Sequence, residues 1–202
     1  MEKTTQPSKG LWDRLLPATD DVLVRGRAGL VLATCLGIIL ASWALVLTWL
    51  ISGDLESVTA MAAGVFTLVL VGIGWLAHGG RARLSAWLLA ALLTLLIFLD
   101  AWDYGLGSIA ASGYVIPIAL AASALGFWAG LGVAGIASAS VWLLAWAETS
   151  GRYAPLTPTD ISHLTFNAPA FTVIFLVVAL LTGWWSRYLC RVIQHSTANT
   201  GA

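Results

Sequence analysis

Charge is what this chain has least of. Of its 202 residues only 10% are Asp, Glu, Lys or Arg, against about 25% in a typical soluble domain. With 59% hydrophobic residues and a mean hydropathy of +0.87, a soluble domain is excluded and a membrane protein indicated. Formal net charge is zero, which argues against a nucleic-acid partner, because that binding rests on an excess of Lys and Arg. Cysteine is scarce too. Cys35 lies inside an apolar run and Cys190 just beyond the last one, so both read as free thiols, and no Cys/His spacing suggests zinc. The three histidines, His78, His163 and His195, fall in turns or tails, away from the mid-membrane depth where a haem would be ligated, and no lysine lies in any apolar run. Short glycine clusters such as GLG and GVAG lack the Lys-Ser/Thr that completes a phosphate loop. No nucleophile and base assemble from these residues. The expectation is a non-catalytic protein with no cofactor and no metal.

What the chain does have is long apolar runs, organised around Thr149 to Ser196. This stretch opens as a polar, proline-containing interruption (TSGRYAPLTPTDISHLTF), becomes apolar (NAPAFTVIFLVVALLTGWWS) and leaves as RYLCRVIQHS. Five further runs precede it: Ala28 to Ile51, Val58 to Ala77, Leu84 to Trp102, Ser108 to Trp128 and Gly130 to Ala147, with Asn167 to Trp185 as the sixth. Each is roughly 18–24 residues, matching a hydrocarbon core of roughly 30 Å. The fold class is therefore an all-α membrane protein with six transmembrane helices. Residues 1–27 form an N-terminal tail in which LWDRLL suits a surface-lying turn, 28–185 the six-helix domain, and 186–202 an exit helix and tail. Some 27 mostly polar residues precede the first run, so it reads as a first span and not a cleaved signal peptide. Gly79 and Gly80 stop the second helix, and Pro117 predicts a kink in the fourth.

Basic residues set the orientation. Lys3, Lys9, Arg14, Arg25 and Arg27 lie in the tail, Arg81 and Arg83 in the second turn, and Arg187 and Arg191 in the exit helix. All nine fall on one side, with Arg152 alone on the other beside Asp54, Glu56, Asp103 and Asp160. The positive-inside rule then places both termini in the cytoplasm. Small residues recur every four positions in the fourth and fifth runs (Ala122, Gly126, Gly130; Gly130, Ala134, Ser138; Gly135, Ala139). That spacing permits close helix approach, within this hairpin by preference and at a homodimer face as the alternative.

On the outer side, acids and aromatics collect at the helix ends. Asp100, Trp102, Asp103, Trp146, Glu148 and His163 are the candidate ligand-binding residues, with Tyr104, Tyr114, Trp142, Tyr153 and Asn167 at similar depth. Such a rim suits a cation or small polar ligand; an interfacial aromatic belt with solvated acids is the plainer reading. Asp100 stands out because an ionised group at lipid depth is costly unless paired or hydrated.

Taken together, the basic RGRA start, the GGRARLS turn, the hairpin IALAASALGFWAGLGVAGIASAS, the longer outer loop and the arginine-spaced exit helix form a pattern. It resembles the six-helix N-terminal membrane modules of bacterial sensor histidine kinases and diguanylate cyclases. The resemblance implies a sensor passing an external or intramembrane cue to a cytoplasmic output partner, as in two-component signalling, with lipid and a second copy as further partners. The sequence ends at Ala202 with no kinase or cyclase domain, so a detached or truncated sensor module, or one that contacts a separate protein, is expected. Two other classes fit the same composition: a substrate-binding subunit of a small-molecule transporter, and an accessory subunit of a larger membrane complex.

Overall fold

The computed structural model describes residue 16 and residues 22–53, 57–106, 109–156 and 161–200, with side chains left aside at 22, 23, 57, 58, 161–165, 190 and 193–200. The LWDRLL turn (Leu16 apart), Asp54, Glu56 and Asp160 lie outside the described residues, as do the side chains of His163, Cys190 and His195. Every described element is helical: α1 (Val22–Ser52), α2 (Ser57–His78), α3 (Ala82–Tyr104), a 3₁₀ helix (Ile109–Tyr114), α4 (Val115–Ala124), α5 (Phe127–Thr149) and α6 (Ile161–Thr200). Five of these, α1, α2, α3, α5 and α6, contain segments long and apolar enough to cross a membrane.

The fourth run is the exception. Its apolar helical stretch is Ile109–Ala124, six residues of 3₁₀ followed by ten of α. At about 2.0 and 1.5 Å per residue these reach about 27 Å, close to the roughly 30 Å of a hydrocarbon core. Pro117 is the third residue of α4, and the helix type changes from 3₁₀ to α just ahead of it. Gly126, at φ +108°, forms the turn and Phe127 already begins α5, earlier than the expected Gly130.

The chain divides after Ser85 into two compact units. In the first, α1 and α2 pack as a hairpin. Trp43 Nε1 donates to Thr67 Oγ1 at 3.0 Å, and that hydroxyl donates onward to Ala63 O at 2.8 Å. The hydroxyl thereby satisfies the indole and its own helix at once. α2 ends as the glycines predict. Gly80 takes φ +82°, with Gly80 N–H donating to Ala77 O and Arg81 N–H to Leu76 O, both at 3.2 Å; this is the left-handed cap that only glycine adopts at no cost.

In the second unit α6 packs along α5 and α4, and α4 against α5. Tyr114 and Phe175, both fully buried, meet edge-on at 5.6 Å, and Phe171 stacks on Phe175 at 5.9 Å. Trp142 Nε1 donates to Thr172 Oγ1 at 3.1 Å, tying α5 to α6 with the same tryptophan–threonine device as the first unit. Ala122 and Gly130 bring α4 and α5 so close that a Cβ on Gly130 would sit 2.5 Å from Ala122 Cβ. The small-residue pattern therefore splits. Gly130 and Ala134 are buried within this hairpin, Gly135 and Ala139 are exposed, and Gly126 is a turn residue.

Candidate functional site

The acidic and aromatic residues singled out at the helix ends converge where α3 and α5 finish. α3 stops at Gly105, whose φ of +81° suits glycine, and whose N–H still reaches Ala101 O at 2.9 Å. A side chain here is excluded twice over: a Cβ would lie 2.9 Å from Pro155 Cγ and 3.0 Å from Glu148 Oε1. The next residue, Leu106, donates its N–H to Glu148 Oε1 at 3.0 Å. Glu148 is the penultimate residue of α5, so one carboxylate oxygen joins the ends of two helices 42 positions apart.

Beyond α5, Gly151 at φ +67° turns the chain back. The returning segment lies on the end of α3. Tyr153 lies tilted against Trp102 with ring centres 4.6 Å apart, and Leu156 N–H donates to Asp103 O at 2.9 Å. On the flank, the Arg152 guanidinium sits 5.1 Å over the Trp146 ring. Among the described residues, two polar atoms within this clasp are buried without a hydrogen-bond partner, Glu148 Oε2 and the Tyr153 hydroxyl. Burial, then the nearby Asp103 and Glu148 carboxylates, push the Tyr153 phenol above its ordinary pKa.

Of the expected residues, the structure brings Trp102, Asp103 and Glu148 together and sets Trp146 beside them. Asp100 is exposed, and among the described residues no contact joins it to the clasp. Tyr153, Gly105 and Pro155 complete the cluster. Tyr153 belonged to the expected aromatic rim, while a Tyr-Gly helix end and a proline-bearing loop are the only sequence traces of the other two. Chemically, among the described residues the clasp offers one carboxyl oxygen as acceptor and one phenolic donor with unused capacity, suited to a water or a small polar group. Among the described residues no group of three or more His, Cys, Asp or Glu could hold a metal ion.

The clasp's first task is mechanical, and it makes a prediction. Glu148→Ala leaves the Leu106 N–H without its partner and should cost about 1–3 kcal/mol. Glu148→Gln keeps an acceptor oxygen in place and should cost far less. Denaturant titration in mixed micelles, with protease cleavage between residues 150 and 156 as a local reporter, separates the two variants.

The same unit carries an apolar groove of about 420 Å³ between α3 and α5, lined by residues such as Trp87, Thr94, Phe98 and Ser140. Thr94 and Ser140 spend their hydroxyl hydrogens on their own helices, at Ala90 O and Ile136 O. Comparison with protein-family models, with curated proteins and with solved structures found no match.

Proposed function

We propose that the chain is a non-catalytic, six-pass module of a bacterial inner membrane with both termini in the cytoplasm, and that it conveys an external or intramembrane cue to a cytoplasmic output partner through α6. The observation that carries this reading is the continuity of α6. It is one helix of 40 residues, about 60 Å long at 1.5 Å per residue, twice the thickness of a hydrocarbon core. Its apolar segment ends at Leu189, yet the helix continues to Thr200. A helix that continues past the membrane boundary carries rotation or axial displacement through it, whereas a loop at the boundary would absorb either.

Pro169 refines where the motion enters. It lies inside α6 as the ninth residue, where its missing N–H leaves the Thr165 carbonyl without a helical donor and permits a bend. Movements of the turns before Pro169 are then partly absorbed. Force reaches the rod beyond it, through contacts such as Trp142 on Thr172 and Tyr114 on Phe175. On this reading the Glu148 clasp holds α3 and α5 in register, and α5 drives α6.

Orientation is tested by cysteine accessibility in a background with Cys35 and Cys190 replaced by Ala. A cysteine at Ser150 should react with a membrane-impermeant maleimide in intact cells. Cysteines at Gly79, Trp128 and Asn199 should react only after permeabilisation. Labelling of Gly79→Cys from outside without labelling of Ser150→Cys would reverse the topology and remove the cytoplasmic exit.

A further inference from the structure

We propose that Trp184, Arg187, Tyr188 and Arg191 form a binding site for a phosphate anion, presented as the headgroup of an anionic phospholipid. The four residues follow i, i+3, i+4, i+7 spacing, so they share one face of α6. Together they line a cleft of about 100 Å³. That is well below the roughly 300–1,000 Å³ of ordinary organic-ligand pockets, and leaves room for a small group alone.

Charge supplies the second strand. No Asp or Glu occurs from Ile161 to Ala202, so the two arginines have no counter-ion on their own helix. Like charges at i, i+4 oppose helix formation unless something compensates them. Guanidinium groups match phosphate oxygens with two parallel hydrogen bonds, which makes arginine the fitting residue for this anion.

The site is also built. Phe127 seats against Gly183, where a Cβ would lie 2.7 Å from its Cδ2, and the Arg187 guanidinium lies 4.3 Å over the Phe127 ring. One cation is thereby held in place by the α4–α5 turn before any anion arrives, which lowers the ordering cost of binding. Trp184 and Tyr188, 65% and 51% exposed with ring centres 6.4 Å apart, flank it as aromatic residues do at headgroup depth. The apolar segment of α6 ends at Leu189, between the two arginines. That position favours a lipid headgroup as the source of the phosphate. The inference does not depend on the signalling role of α6.

Native mass spectrometry of the full chain, released from nanodiscs of mixed phosphatidylglycerol and phosphatidylcholine, tests it. Wild type should retain phosphatidylglycerol preferentially. Arg187→Gln with Arg191→Gln should reduce that preference roughly thirtyfold, two arginines acting together at a charged leaflet. Arg187→Lys with Arg191→Lys keeps the charge and loses the fork, so it should fall between. Phe127→Leu should weaken retention several-fold by freeing Arg187, with Arg191 unchanged. Displacement of the lipid by millimolar inorganic phosphate would uphold the phosphate chemistry but overturn the lipid as its source. A preference unaltered in the double glutamine variant, or lost equally in a control with Arg81→Gln and Arg83→Gln, would overturn the site.

Discussion

Gly130→Ala should destabilise the protein by about 3 kcal/mol, the upper end of what overpacking costs. The added Cβ would sit 2.5 Å from Ala122 Cβ, 2.9 Å from its Cα and 3.2 Å from its backbone nitrogen. No side-chain rotamer relieves contact with a methyl on a backbone, so α4 and α5 must move apart. The turn at Leu125 and Gly126 joins them directly and gives them little freedom to do so. Gly135→Ala is the internal comparison. A Cβ there meets nothing within 4 Å, and alanine gains up to about 1 kcal/mol of helix propensity over glycine. Opposite signs at two glycines of one small-residue pattern would show that the pattern serves the hairpin. Denaturant titration in mixed micelles reads both, and a loss at Gly135 equal to that at Gly130 would return the exposed stripe to consideration as a contact face.

The helices were legible because hydrophobic length and the glycine stops are local properties. Gly80 closes α2 as its position predicts, and five of the six expected runs appear as helices of spanning length. The fourth run differs in helix type and in where it ends, because hydropathy averages over residues and is blind to both. Ile109–Tyr114 winds as 3₁₀ and the turn falls at Gly126, which divides the apolar stretch sooner than composition implies. α6 begins at Ile161, six residues before the expected Asn167, because polar Ser162, His163 and Thr165 mask a helical start.

At the rim the chemistry was readable and the geometry was not. Asp103, Glu148 and Trp102 declared themselves as acids and an aromatic at helix ends. That Glu148 would spend one oxygen on Leu106 N–H depends on where α3 and α5 end relative to each other, a long-range property with no periodic trace. Asp100 looked the most costly residue, yet among the described residues no contact joins it to the clasp, and it is exposed like its neighbours Trp102 and Asp103. Gly183, the one glycine in the apolar segment of α6, is the seat of Phe127.

The central claim is that α6 beyond Pro169 works as one rod, and insertion of alanine after Arg191, in a chain joined to a cytoplasmic reporter of output, tests it most directly. One added residue turns everything that follows by about 100°, while four add a little over a full turn and nearly restore the original face. Val192 and the turns beyond it would present a different surface to the partner in the first case and almost the same surface, about 6 Å further out, in the second. The same single alanine placed after Leu164, ahead of Pro169, should matter less, because the proline joint absorbs part of the change. The account predicts that one alanine after Arg191 abolishes or inverts signalling and that four partly restore it. Output indifferent to both insertions would contradict it, leaving α6 as a membrane anchor.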